Sequence, residues 1–330
     1  MMRLVARTMQ LISGPPLSIL MYHAVVDKPL LISDWCFIPT DQFNQQMSWL
    51  AENRLDVMPL HEAVNAMQEG RLTGPTVAVT FDDGYRNNVD VSLPVLERYG
   101  IPASIFLTTG LINSGHTLWS SRLNLAIAGT ERTELSWRGT TYAIADDQAH
   151  TRVLRRLKEQ VKQDAGADPE LAVAEIERLL DVPENPTVPR DSPYAMMDKS
   201  DIERAISSGL INFGAHTISH PVVSTLVEPE LATEINGSLR AVKDLVGLRP
   251  LSFAYPNGQR ADYDDRAMQH LKAQKIEIAL TTMPGANRQG ADCLQLCRFG
   301  VGLNKKPYRF AMDAYGLPFS ALAQSIRAFT

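Results

Sequence analysis

The sequence predicts an α/β protein built around a mainly parallel sheet or barrel. Short apolar runs typical of buried strands alternate with helical patterns, which is the signature of this fold class. Polar motifs follow several of these runs directly, and in barrels the chemistry lies at the carboxyl ends of the strands. The chain has 330 residues, 45% hydrophobic and 21% charged. Such a length and composition suit one large α/β domain with an insertion, or two domains.

Six runs are predicted strands because each is short and apolar. They are residues 17–22, 76–81, 103–107, 210–214, 251–254 and 277–281. Residues 230–246 are predicted to form a helix, in which Leu231, Ile235, Leu239 and Val242 share one apolar face. Gly247 suits the end of that helix, because glycine readily adopts the left-handed backbone of a C-cap.

Residues 113–199 are predicted to be an insertion, with residues 1–112 and 200–330 forming the main barrel. The segment is longer than one strand–helix unit requires, and it contains amphipathic helical patterns at residues 151–163 and 169–181. A hairpin is predicted at 137–142 and a proline-rich linker at 182–193. The insertion could be a lid or substrate-recognition module, or a surface subdomain without a role in binding.

The first polar motif, Thr-Phe-Asp-Asp-Gly, occupies residues 80–84 at the end of a predicted buried strand. Two adjacent carboxylates are costly to hold at such a position. Both could face one cavity, where one binds a metal ion and the other transfers a proton. The alternative is a surface turn, since Asp-Gly is a common hairpin signal.

The second motif places His216 and His220 four residues apart after another strand-like run. Two imidazoles at this spacing can point at one metal ion, although a structural pair of histidines is the alternative. Thr217 stands where the glutamate of a His-Glu-x-x-His metalloprotease would be, which excludes that chemistry. If a metal binds, the base must come from elsewhere, and Asp82 and Asp83 are the obvious source.

These two motifs, with Ser-Phe-Ala-Tyr-Pro-Asn-Gly at residues 252–258, resemble the polysaccharide deacetylase family, also called NodB-homology or carbohydrate esterase 4. The resemblance runs from about residue 19 to about residue 301. It implies a distorted (β/α)7 barrel with a helical insertion. It also implies an enzyme that removes an N-acetyl group from a sugar.

The resemblance assigns roles to residues of the motifs. Asp83, His216 and His220 correspond to the metal ligands, which usually hold Zn²⁺ and could hold another divalent transition metal. Asp82 corresponds to the general base. The oxyanion donor of the third motif would be Asn257, with Tyr255 as the alternative.

The chain departs from the common pattern at two positions. Ala254 stands where the third motif usually carries an arginine that tethers the base, as in a variant subgroup that includes poly-N-acetylglucosamine deacetylases. Arg298 is the predicted substitute for holding Asp82; the alternative is a surface arginine. The late Leu-x-His motif is absent, and the subgroup carries an early Tyr-His pattern instead. His23 is therefore the predicted general acid, with a core histidine as the alternative.

Composition limits the partners and the location. The net charge of −5 and the lack of a basic run argue against nucleic acid. Three cysteines give no disulfide framework and favour a reducing compartment. The N-terminus lacks a convincing signal peptide, and no run of about 18 apolar residues predicts a transmembrane helix. A cytoplasmic location is predicted, and residues 319–329 could lie on a membrane or pack onto the core.

The predicted function is a metal-dependent N-deacetylase that acts on a glycan, or on a lipid- or nucleotide-linked glycan precursor, and releases acetate. One alternative is a hydrolase of another amide or an acetyl ester. Another is a non-catalytic carbohydrate-binding protein, which the missing arginine and late histidine motivate. Asp34 and Trp35 could also reach a sugar, with a structural role as the alternative.

Overall fold

The computed structural model describes residues 14–144, 147–163 and 169–317. Its strands are β1 (Leu17–Tyr22), β2 (Ala24–Val26), β3 (Phe37–Pro39), β4 (Asp56–Val57), β5 (Thr76–Phe81), β6 (Ala103–Leu107), β7 (Glu134–Trp137), β8 (Thr140–Ala143), β9 (Ile211–Ala215), β10 (Ser252–Ala254), β11 (Ile278–Leu280) and β12 (Phe299–Gly300).

Ten helices accompany these strands in the described ranges. They are α1 (Thr40–Glu52), α2 (Leu60–Gln68), α3 (Leu93–Tyr99), α4 (Trp119–Gly129), α5 (Asp147–Gln163), α6 (Pro169–Leu179), α7 (Lys199–Ser207), α8 (Glu228–Val246), α9 (Asp265–Ala273) and α10 (Pro307–Ala314). Three short turns of other helix types lie at Asn88–Ser92, Thr109–Leu111 and Val223–Thr225.

An eight-stranded parallel sheet, curled into a half-barrel, forms the centre of the fold. The strand order is β11-β10-β9-β6-β5-β1-β12, and β4 pairs with β5. The predicted fold class is thereby confirmed. Every residue of β1 and of β5 is buried, as expected for a parallel sheet that is covered on both faces.

The register of β1 and β5 fixes what lies at the carboxyl edge of the sheet. The two strands pair in step from Leu17 with Thr76 to Tyr22 with Phe81. The backbone N–H of Asp82 then donates to the Tyr22 carbonyl at 3.0 Å. Because the two strands end level, the residue after β1 and the residues after β5 emerge side by side.

The six predicted strands all occur, with shifts of one residue at some ends. The predicted helix 230–246 is α8, which begins two residues earlier and is followed by Gly247 at φ 79°. Strands β2, β3, β4 and β12 were not predicted, because two or three residues are too few for a periodic pattern.

The segment predicted as an insertion contains α4 to α6 and an antiparallel hairpin of β7 and β8. Its buried apolar side chains form a cluster separate from the main core, with Trp137, Leu157 and Ile176 among them. Arg122 and Glu177 lie inside this segment as a buried ion pair, in which Arg122 Nε donates to Glu177 Oε1 at 2.8 Å.

Across the described ranges, the helices are all too short or too polar to cross a membrane. The predicted membrane-surface segment 319–329 lies outside the described residues, as does the N-terminal stretch 1–13. Cys36, Cys293 and Cys297 are free thiols.

Candidate active site

Polar side chains from several strand ends converge on one cavity of about 720 Å³. Asp82 and Asp83 follow β5, and His216 follows β9. His23 follows β1, and Asn257 lies on the loop after β10. All five line the cavity, as does His220. Parallel strands present their carboxyl ends at one edge, so residues distant in sequence meet there.

Asp83, His216 and His220 form a compact group of possible metal ligands. Asp83 Oδ1 lies 3.5 Å from Nε2 of each histidine, and the three ligand atoms lie within 4.8 Å of one another. Asp83 Oδ1 is buried and has no hydrogen-bond partner among the residues that the structure describes. One carboxylate and two imidazoles make a donor set that suits Zn²⁺ and related ions, so these residues fit a divalent transition metal.

The surroundings orient His216 and favour the metal-binding forms of His220 and Asp83. His216 Nδ1 lies 2.7 Å from the Ala254 carbonyl oxygen, which fixes the ring with Nε2 towards Asp83. Burial, together with the neighbouring His216, lowers the pKa of His220 to about 3, so this imidazole is neutral. Burial opposes ionisation of Asp83, but the imidazoles around it hold its pKa well below the usual range.

Asp82 is held by Arg298 beneath the cavity floor. The guanidinium donates to both carboxylate oxygens at 2.7 Å, and it also donates to the Thr281 carbonyl at 2.7 Å. Asp82 is 2% exposed and Arg298 is fully buried. Burial alone would raise the pKa of Asp82. The charge of Arg298 acts in the opposite direction, and the net shift of the pKa is downward. Asp82 is therefore ionised at neutral pH and can accept a proton.

His23 follows β1, lines the cavity and lies beside Trp35. The two ring centroids are 5.3 Å apart and the rings meet edge to face. His23 Nδ1 is buried and lacks a hydrogen-bond partner within the described part of the chain. Trp35 is 55% exposed and also lines the cavity. Trp35 therefore presents exposed aromatic surface at the cavity.

The structure separates the two candidates for the oxyanion donor. Asn257 lines the cavity, with a left-handed backbone at φ 59°. Tyr255 is fully buried behind it. The Tyr255 N–H donates to the Leu280 carbonyl at 3.0 Å, and its hydroxyl donates to the Leu294 carbonyl at 3.1 Å. Both donors of Tyr255 are therefore engaged within the core, whereas Asn257 lines the cavity.

Helices of the insertion form one wall of the cavity. Lys158 Nζ lies 2.5 Å from Asp34 Oδ2, and Asn124 Nδ2 donates to the same oxygen at 3.0 Å. This contact ties α4 and α5 to the loop that carries Trp35. The insertion residues that line the cavity are Trp119, Ser120, Lys158, Glu159, Lys162 and Gln163.

Sequence reasoning missed the partners of Asp34. Asp34 itself was noticed because it precedes Trp35, but Lys158 and Asn124 are 124 and 90 residues away from it. The helical pattern of the insertion predicts which residues form its apolar face. It does not predict which of its polar residues contact the barrel.

A comparison with known families and proteins gives matches to deacetylases. The family model described as polysaccharide deacetylase matches residues 69–279. The chain is 32% identical over 108 residues to Bacillus subtilis YxkH, whose name places it with polysaccharide deacetylases; the match covers 32% of this chain and 37% of YxkH. It is 36% identical over 76 residues to the poly-beta-1,6-N-acetyl-D-glucosamine N-deacetylase of Staphylococcus epidermidis, covering 23% and 26% of the two chains. The matches thus span well under half of these relatives.

Solved structures share the fold over most of the chain. IcaB from Ammonifex degensii superposes with a TM-score of 0.58 at 20% identity, covering 93% of this chain and 99% of IcaB. The BA0330 protein from Bacillus anthracis gives a TM-score of 0.59 at 16% identity, covering 91% of this chain and 69% of that one. At these identities the likeness establishes the fold alone.

Proposed function

Because the chain belongs to the polysaccharide deacetylase family, we propose that it is a metal-dependent hydrolase that removes the N-acetyl group from an N-acetylated sugar. The products are acetate and a free amine. One observation carries the proposal: an ionised carboxylate, Asp82, is fixed by Arg298 directly beside the Asp83, His216 and His220 group. A protein that only binds carbohydrate needs no base at that position.

Asp83, His216 and His220 would hold the divalent ion. When bound, such an ion acts as a Lewis acid that lowers the pKa of water and polarises a carbonyl group. Zn²⁺ is the proposed ion, since it is bound by imidazole and carboxylate ligands of this kind.

Two side chains, those of Asp82 and His23, carry out the proton transfers. Asp82 accepts a proton from the attacking water as the water oxygen bonds to the acetyl carbon. His23 donates a proton to the amine nitrogen as the C–N bond breaks. The backbone N–H at Asn257 donates a hydrogen bond to the acetyl oxygen, which becomes negatively charged in the tetrahedral intermediate. Arg298 keeps Asp82 ionised before the attack and orients its carboxylate.

The cavity suits a carbohydrate. Trp35 presents an exposed indole face next to His23, and aromatic faces pack well against the apolar faces of sugar rings. The wall contributed by α4 and α5 adds polar groups that can recognise sugar hydroxyls. We propose that the insertion, residues 113–199, is a substrate-recognition module. The proposed substrate is a glycan, or a lipid- or nucleotide-linked glycan precursor.

The test is acetate release from a panel of N-acetylhexosamine oligosaccharides, lipid-linked sugars and nucleotide sugars, with and without a chelator. The proposal predicts release from at least one of these substrates and its loss when the metal is removed. Release from acetyl esters or other amides alone would replace the substrate class. Metal-loaded protein that binds a glycan without releasing acetate would contradict the proposal.

A further inference from the structure

The two histidines of the metal group are held in different ways. His216 is oriented by a hydrogen bond between Nδ1 and the Ala254 carbonyl. His220 has no comparable support: its Nδ1 is buried, and among the described residues it has no hydrogen-bond partner. Besides its edge-to-face contact with the His216 ring, at 4.9 Å between centroids, the direction of the His220 ring depends on the backbone that carries it.

That backbone is in a conformation that these residue types seldom adopt. Thr217 has φ 65° and His220 has φ 64°, both in the left-handed region. For a β-branched residue such as Thr217 this is a true outlier, and holding such a conformation costs free energy. The Thr217 hydroxyl accepts a hydrogen bond from the His220 N–H at 3.0 Å. A loop with two strained positions persists only where its surroundings hold it.

Glu234, on helix α8, supplies that hold. Its Oε2 accepts hydrogen bonds from the backbone N–H groups of Ile218 at 2.7 Å and Ser219 at 3.1 Å. Its Oε1 accepts a hydrogen bond from the Ser219 hydroxyl at 2.7 Å. One carboxylate thus satisfies three donors, all from the residues between the two strained positions. Hydrogen bonds to a charged acceptor are stronger than neutral ones.

Two glycines, Gly110 and Gly237, allow other parts of the protein to pack closely against this loop. The Gly110 N–H donates to the Ile218 carbonyl at 2.9 Å, and a Cβ at Gly110 would lie only 2.7 Å from that oxygen. A Cβ at Gly237 on α8 would lie 2.6 Å from Ile218 Cδ1. Gly110 and α8 therefore contact Ile218 on two sides, while Glu234 holds its N–H and that of Ser219.

We infer that Glu234 is a positioning residue for the metal site, which acts by holding the loop so that His220 Nε2 faces Asp83. The inference rests on the proposed function, because it requires that Asp83, His216 and His220 bind a metal ion. Glu234 belongs to none of the three sequence motifs. It directly precedes Ile235, a residue of the apolar face of α8, and its partners are 15 and 16 residues away in sequence.

The test measures Zn²⁺ affinity by competition with a chromophoric chelator for wild-type protein, Glu234→Ala and Glu234→Gln. Glu234→Ala is expected to raise the Zn²⁺ Kd by about 10–100-fold, the usual effect of losing a residue that orients a metal ligand. Glu234→Gln should recover part of the affinity, because its amide oxygen still accepts hydrogen bonds. Glu230→Ala, at an exposed position in the first turn of the same helix, is the matched control and should leave the Kd unchanged.

A second comparison separates positioning from general stability. In a His220→Ala background, adding Glu234→Ala should change the Kd by less than about twofold, because the two substitutions act through one ligand. A Kd of folded Glu234→Ala within about twofold of wild type would overturn the inference. If that variant fails to fold, Glu234→Ser takes its place, and a Kd of folded Glu234→Ser within about twofold of wild type would overturn the inference. Wild-type protein that binds no Zn²⁺ would instead overturn the proposed function, and this inference with it.

Discussion

Arg298 and Asp82, 216 residues apart in the chain, form a fully buried bidentate ion pair with both hydrogen bonds at 2.7 Å. The guanidinium comes from the segment just before β12 and reaches under the end of β5. Where the common third motif carries an arginine, this chain has Ala254, and the carbonyl of Ala254 orients His216 instead. The proposed base and one proposed metal ligand are thus both supported at the carboxyl edge of the sheet.

Replacing Arg298 should expose how much the pair contributes. Arg298→Met leaves the Asp82 carboxylate buried without its partner and should lower the free energy of unfolding by about 3–5 kcal/mol. Arg298→Lys keeps the charge but loses the planar fork, so we expect acetate release to fall by roughly tenfold or more. Urea unfolding and acetate assays check both. Arg71→Lys, at an exposed position, is the control. An unchanged unfolding free energy for Arg298→Met would contradict the assigned pairing.

His23→Ala should lower the rate of acetate release by about 10²–10⁴-fold, the usual contribution of a general acid. Metal content should stay at the wild-type level, because His23 is not one of the three grouped ligands. The control is His61→Ala, a surface histidine paired with Glu277. Near-normal rates for the His23 variant would mean that another group protonates the amine.

Asp34→Asn should destabilise the fold in a pH-dependent way. Burial raises the pKa of Asp34, but Lys158 and further hydrogen bonds bring it below the usual value. A carboxylate with a lowered pKa in the folded state stabilises the fold above its unfolded pKa of about 3.9. That contribution is lost as the pH falls through the folded pKa. The difference in unfolding free energy between wild type and Asp34→Asn should be about 1–3 kcal/mol at pH 7 and should shrink below about pH 4.

Urea unfolding at several pH values measures that difference. Asp56→Asn, an exposed substitution on β4, serves as the control and should change the free energy of unfolding by less than about 0.5 kcal/mol. A difference between wild type and Asp34→Asn that stays constant from pH 7 to pH 3 would show that the ion pair with Lys158 does not stabilise the fold.

The sequence predicted the parts of the fold and site that depend on local patterns. Strands β1, β5 and β6 are continuous apolar runs, and Asp82, Asp83 and His216 follow strands directly. These features are visible because a strand end positions its next residue.

The remaining features depend on contacts between distant elements. Lys158 reaches Asp34 from the insertion, and Glu234 reaches the loop of His220 from the middle of a helix. The choice between Asn257 and Tyr255 depends on a hydrogen bond from the Tyr255 N–H to Leu280. The helical periodicity of the sequence predicts the apolar face of a helix, but it does not predict which polar residue beside that face finds a partner.

The most direct test of the central claim is a paired measurement on Asp82→Asn, in which bound Zn²⁺ and acetate release are determined on the same preparation. Asn is nearly isosteric with Asp but cannot accept the proton of the attacking water. The account predicts Zn²⁺ content equal to wild type and acetate release reduced by at least about 10²-fold. Acetate release at the wild-type rate would contradict it, because Asp82 would then not be the base.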